Sequence, residues 1–187
     1  VGGLIEHVFG YGSLAGELLG GGSPAWLHGY RRTWGVAADN VQAIPGYKQY
    51  RLRSDGSTPP VFVAFLDLAV DPGCAVNGVV AHVDESRLAE LDRRERNYDR
   101  VDVTASVDCP VKGRIWTYVG SPEGRARLAE GVRGDRIAVS REYAERVHAA
   151  FRAIGDEDYE RFLASSDLDG LPVMDLERVD LPPEARR

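Results

Sequence analysis

From Leu4 to Phe9 the chain is apolar and partly β-branched, then breaks into Gly10-Tyr11-Gly12-Ser13, which predicts a buried strand running into a tight glycine loop. Gly20-Gly21-Gly22-Ser23-Pro24 cannot continue a helix of any length, so a loop is expected there. Ala25 to Ala38, with Trp26, Leu27, Tyr30, Trp34 and Val36, reads as one bent strand or two short ones. Asp39 to Pro60 is dense in turn formers around a Tyr47 to Leu52 segment able to pair, and is expected as an excursion over the site. Val61 to Val70 and Ala75 to Val83 are strand patterns separated by Asp71-Pro72-Gly73. Proline presets φ and glycine permits positive φ, so an antiparallel hairpin is predicted.

Asp84 is placed to cap a helix whose Leu88 and Leu91 share a buried face and which ends near Glu95 to Asn97. Val101, Val103, Ala105 and Val107 then alternate with Asp102, Thr104, Ser106 and Asp108, the pattern of a half-buried strand, with Arg114 to Val119 as its hairpin partner. Ser140 is placed to cap a helix with Ala144, Val147, Phe151 and Ile154 on one face, closed by Gly155. Asp156 opens another, expected to carry Tyr159, Phe162 and Leu163 toward the core, and from Leu171 onward Pro172, Pro182, Pro183 and two terminal arginines predict an irregular tail. Strands, a short helix, more strands and then helices give an α+β fold rather than a doubly wound one.

The 187 residues suit one domain, 1–187. No apolar run approaches the roughly 18 residues of a membrane span, and the first residues lack the cationic and apolar blocks of a secretion signal. Cys74 and Cys109 have no CxxC spacing, which predicts reduced thiols in a cytoplasmic protein rather than a disulfide or zinc framework. His7, His28, His82 and His148 are singletons without ligand spacing, so no metal is expected. A formal net charge of −6 disfavours nucleic acid and anionic membrane and leaves a small molecule as the expected partner. Arg93, Arg94, Arg96 and Arg100, interleaved with Asp92, Glu95, Asp99 and Asp102, read first as a salt-bridged face. Oligomeric state is not encoded in any of these features.

Gly10-Tyr11-Gly12-Ser13-Leu14-Ala15 fits G-x-G-x-x-A after a strand, with Arg31 and Arg32 spaced for a 2′-phosphate. The glycine tract from Gly20 leaves only about two helical turns to hold a pyrophosphate, and alternating strand and helix units are missing, so no nucleotide cofactor is expected. Ser13 has no His and Asp at a spacing that suggests a hydrolase triad.

Val8-Phe9-Gly10-Tyr11-Gly12-Ser13-Leu14 resembles the signature loop of the γ-glutamylcyclotransferase-like family, which includes plant defence-induced proteins and glutathione-degrading cyclotransferases. Gly78-Val79-Val80-Ala81-His82-Val83, a short helix, and Leu91-Asp92-Arg93-Arg94-Glu95 followed by Tyr98 and Arg100 are similar to its strand, helix and catalytic glutamate in the same order. The likeness runs from about Val8 to Val107, with an echo from Ser140 to Ile154.

The resemblance implies a small mixed, largely antiparallel β-barrel flanked by helices. It also implies closure of a γ-glutamyl group to 5-oxoproline with release of an amino acid or amine, without metal or cofactor. Backbone amides of Tyr11, Gly12, Ser13 and Leu14 would hold the glutamyl moiety, as successive N–H groups at a glycine turn suit a carboxylate. Glu95 would be the general acid/base; a helix C-terminus opposes its ionisation while neighbouring arginines favour it. Tyr98 would bond the substrate or Glu95, with a core role equally open, and Lys48 and Arg51 in the 39–60 excursion would select the leaving group unless that segment is merely structural. The family's tyrosine before the last long helix is missing from Ser121 to Arg136, which leaves glutathione, γ-glutamyl dipeptides, γ-glutamylamines and a host-specific metabolite open as substrates. A noncatalytic γ-glutamyl-binding module on the same fold is the alternative function.

Overall fold

Two long strands organise the computed structural model, which describes residues 5–183; Leu4 and the terminal arginines named above lie outside them. In chain order the first half runs β1 Glu6–Gly10, α1 Ser13–Leu18, β2 Gly22–Asp39, β3 Lys48–Leu52, β4 Phe62–Val83 and α2 Glu85–Arg94. The second runs β5 Tyr98–Asp102, β6 Val107–Asp108, β7 Arg114–Gly120, α3 Pro122–Arg133, β8 Ile137–Ser140, α4 Arg141–Ile154, α5 Asp156–Ala164, β9 Ser166–Asp167, β10 Val173–Met174 and β11 Leu176–Asp180. The main sheet follows the order β10-β8-β4-β1-β7-β5, with β2 along β4 and β6 and β9 on β2. It curls into a mostly antiparallel half-barrel flanked by helices, an α+β fold. Among the described residues no helix is long and apolar enough to cross a membrane.

The expected hairpin between Val61 and Val83 does not form. β4 is one strand of 22 residues, and both halves pair with the 18-residue β2, from Gly22↔Ala81 to Asp39↔Phe62. Asp71 to Cys74 bulge out between the Val70↔Tyr30 and Ala75↔His28 pairs, and the positive φ falls on Gly29 across the ladder, at 85°, not on Gly73. A full-length partner edge outweighs local turn chemistry, which here makes a bulge that bends both strands. β2 also begins at Gly22, inside the expected loop, with Pro24 near the strand start where a missing donor is tolerated. Its second bulge, at Gly35, needs glycine, because a Cβ there would collide with Asp67.

The alternation after Val101 is interrupted. Asp102 Oδ1 accepts from the Thr104 amide at 3.0 Å and the Thr104 hydroxyl at 2.6 Å, and the chain turns through a 3₁₀ segment, Thr104–Ser106. β7 nonetheless pairs antiparallel with β5 as expected. The caps at Asp84 and Ser140 form, accepting from the amides of Arg87 and Tyr143. In α5 Phe162 is fully buried, but Leu163, expected inside, is 48% exposed.

α3, β8 and the tail strands β10 and β11 are not among the expected elements. α3 is capped by Ser121, which accepts from the Gly124 amide at 3.0 Å; Gly124 and Gly131, nominal helix breakers, allow it to press against Val36 and Phe62. The tail from Leu171 is not irregular. β10 joins β8, and β11 pairs antiparallel with β3 in a separate two-stranded sheet, with the fully buried Leu176 packed beside Tyr50 and Phe65. The main core, including Phe9, Leu27, Leu66, Leu91 and Phe151, lies between the curled sheet and α1, α2, α4 and α5.

Candidate active site

Glu95 is placed by the end of α2. Leu88 and Leu91 anchor that helix in the core, and the Glu95 amide bonds back to Leu91 O at 2.8 Å as the chain leaves helical geometry. Its carboxylate is largely buried, with 20% of the side chain exposed. Oε1 accepts from Arg94 Nε at 2.9 Å, and Arg94 also grips Glu17 of α1 at 2.9 Å. A pair within the expected salt-bridged group thus forms, between Arg94 and Glu95, with the carboxylate drawn in from the surface. Oε2 has no hydrogen-bond partner among the described residues.

The glycine loop meets Glu95 from the other side. β1 ends at Gly10, where a Cβ would press on the backbone of Leu14 and Ala15, so only glycine permits the chain to fold back this tightly. Tyr11 is buried and its hydroxyl donates to Tyr118 O at 2.7 Å. The Ala15 amide closes on Gly12 O at 3.0 Å, while the amides of Gly12, Ser13 and Leu14 find no protein acceptor among the described residues.

All six residues singled out from the sequence, Tyr11, Gly12, Ser13, Leu14, Glu95 and Tyr98, line one inner recess. Ser13, Glu95, Tyr98 and Tyr143 also border a larger cavity of about 530 Å³. Glu95 therefore stands at the junction of the two. The 39–60 excursion does overhang: Tyr47, Lys48 and Tyr50 wall the larger cavity, together with Arg178 from β11. Arg51 is exposed and does not line it.

Burial sets the protonation of the surrounding phenols. Desolvation holds Tyr11, Tyr98 and Tyr143 well above the usual tyrosine range, and Tyr47 at about 12, so all are neutral near pH 7. The Tyr98 hydroxyl donates to Leu66 O at 2.6 Å, as expected of a core tyrosine, although its ring still borders the recess. Lys48 is partly buried with its ammonium 3.8 Å from the Phe65 ring centre. Loss of hydration lowers it to about 8, opposed by Glu95 and assisted by Arg178, Arg94 and Arg146.

Tyr143 was not picked out from the sequence. It enters from the first turn of α4, stacks edge-on against Phe65 at 5.1 Å and accepts from the Leu66 amide at 3.5 Å. A tyrosine thus does reach the site next to the last long helix, from within that helix rather than before it. Arg31 and Arg32 are not free for a 2′-phosphate. Arg31 pairs with Asp71, and Arg32 is fully buried between Phe151 and Phe162, with desolvation lowering it to about 9.

A family model described as gamma-glutamyl cyclotransferase, AIG2-like matches residues 8–135. No curated protein matches the sequence. Among solved structures, one titled gamma-glutamyl cyclotransferase is similar at 15% identity, covering 88% of this chain and 89% of that one with a TM-score of 0.53. An uncharacterized protein from Homo sapiens is similar at 16% identity, 91% and 94% coverage and a TM-score of 0.50. At such identities these likenesses establish the fold alone. The family match spans well over half of the chain, and its stretch contains both the Tyr11 loop and Glu95. The chain belongs to the gamma-glutamyl cyclotransferase, AIG2-like family.

Proposed function

We propose that this protein is a γ-glutamylcyclotransferase that closes a γ-glutamyl group to 5-oxoproline and releases an amine or amino acid, with Glu95 as its general acid/base. The observation that supports this reading most is that the Glu95 carboxylate and the 11–14 loop line the same recess. Ring closure is intramolecular, so proximity is built into the substrate, and the protein must hold the reactive rotamer and move protons. The unpaired amides of Gly12, Ser13 and Leu14 suit the glutamyl α-carboxylate. Glu95 Oε2, left free while Arg94 holds Oε1, takes a proton from the α-ammonium. The amine nitrogen bonds to the γ-carbonyl carbon and sheds a second proton as the old amide bond breaks. With Glu95 relaying each in turn, both protons end on the departing nitrogen, which leaves as an ammonium, and the ring nitrogen keeps one hydrogen as a neutral lactam. Neutral Tyr143, whose hydroxyl accepts from the Leu66 amide, keeps its own proton to donate toward the reacting atoms, whereas Tyr98, which donates to Leu66 O, packs beside them.

The test is 5-oxoproline release from a panel of γ-glutamyl compounds. Glu95→Gln is expected to lower turnover by at least about a hundredfold, the usual scale for removing a general acid/base. A Glu95→Gln protein as active as the parent removes the assignment. Tight binding of γ-glutamyl ligands without turnover would instead make the protein a ligand-binding module.

A further inference from the structure

The 530 Å³ cavity holds an imbalance of charge that the reaction just described does not require. Four of its lining residues are acidic, and each is already met by an arginine: Glu17 and Glu95 by Arg94, Glu90 by Arg87, and Asp180 by Arg178. Arg146 is likewise engaged, by Glu142 at 2.8 Å. Lys48, Arg93 and Arg96 have no carboxylate within salt-bridge distance among the described residues. Among the described residues the cavity thus contains three unmatched cations and no unmatched acid.

These three are not equivalent. Arg93 and Arg96 are exposed at the rim, where water solvates them. Lys48 points from β3 over the face of Phe65 and has lost part of its hydration. A desolvated ammonium without a counterion is unfavourable and is retained where an anion arrives to complete it. Its position also fixes which part of a substrate it would meet. With the glutamyl head against the 11–14 loop and Glu95 at the junction, whatever is attached at the γ-carbonyl extends into the larger cavity.

We infer that Lys48 is a specificity-determining residue that, with Arg93 and Arg96 at the rim, selects substrates whose leaving amine carries an anionic group, a carboxylate or a phosphate. The inference rests on the cyclotransferase reading for the direction in which the substrate lies. Neutral γ-glutamylamines leave the ammonium uncompensated, and amines bearing a second positive charge are repelled.

The experiment measures 5-oxoproline release and, separately, calorimetric binding for γ-glutamylglycine, γ-glutamyl-phosphoethanolamine, γ-glutamylethylamide and γ-glutamylputrescine. The folded parent, Lys48→Met and Lys48→Arg are compared, their folding checked by melting temperature. The parent is expected to favour an anionic compound over the ethylamide by about tenfold to a hundredfold, the scale of one charge-assisted hydrogen bond. Lys48→Met collapses that ratio and Lys48→Arg retains it; the better of the two anions identifies the group. Equal use of charged and neutral compounds, or a ratio untouched in Lys48→Met, overturns the inference. An anion preference in binding that Lys48→Met abolishes, without turnover of any compound, removes the cyclotransferase reading and keeps only the part of the inference that makes Lys48 the anion-selecting residue of the cavity. Failure of all four compounds to bind or react removes both.

Discussion

Arg32 Nε donates to the carbonyl oxygen of Tyr11 at 2.6 Å. A trans peptide points its carbonyl and the following N–H in opposite directions, so fixing the Tyr11 oxygen also fixes the direction of the Gly12 amide. The rest of the guanidinium bonds Asn77 O at 2.6 Å and Ser166 Oγ at 2.7 Å, sandwiched between two phenyl rings. No carboxylate shares the site among the described residues, so this cation is satisfied by carbonyl and hydroxyl dipoles and aromatic faces.

Replacing Arg32 by Leu strands several buried acceptors at once. Each unsatisfied one costs about 1–3 kcal/mol, so a loss of roughly 3 kcal/mol or more is expected in urea unfolding. Arg32→Lys keeps the charge but not the fork. It is expected to recover part of the stability while its KM for γ-glutamyl compounds stays raised, because a single ammonium cannot bond Tyr11 O, Asn77 O and Ser166 together.

The two-stranded sheet of β3 and β11 is pinned by Leu176, fully buried against Tyr50 and Phe65. Leu176→Ala is expected to cost about 2–5 kcal/mol if lost in global unfolding. A separately opening flap gives a different signature. Amides of Lys48 to Leu52 and Leu176 to Asp180 would exchange faster while those of β1 and β4 keep their protection, which hydrogen exchange resolves strand by strand.

Lys48 supplies a pH dependence with a definite sign. Its folded value of about 8 lies below the ordinary 10.5, so between those values the unfolded chain binds more protons and its contribution to stability rises with pH. Function runs the opposite way. The charged ammonium exists below about pH 8, so preference for an anionic leaving group should fade as pH rises through that value. Glu95, Arg94, Arg146 and Arg178 are the charges that act on it. In Lys48→Arg the preference should persist to higher pH, and the ratio of kcat/KM for γ-glutamylglycine and γ-glutamylethylamide across pH 6 to about 9.5 checks this.

Much of the geometry of the candidate site was legible because its signals are local. Gly10 and Gly12 mark the loop, and Asp84, Leu88 and Leu91 fix where α2 ends and therefore where Glu95 stands. Features that depend on distant partners were not. Asp71-Pro72-Gly73 carries genuine turn chemistry, yet the existence of β2 decides that it becomes a bulge. β11 is a strand only because β3 offers it an edge, and α3 is a helix whose two glycines make sense only beside Val36 and Phe62. Arg32 was visible only through a phosphate role that the glycine tract had already argued against, and its place as a buried brace behind the loop depends on Phe151, Phe162 and Asn77, far along the chain. Tyr143 was hidden by the periodic apolar face of α4, to which it needed to add nothing.

The stretch matched to the family ends at residue 135, whereas β11, which completes the sheet that positions Lys48, spans Leu176–Asp180. The proposed chemistry and the frame proposed to sort its substrates are therefore written in different portions of the gene. Sequence drift in the last dozen described residues could change the diet of this protein while leaving its teeth intact.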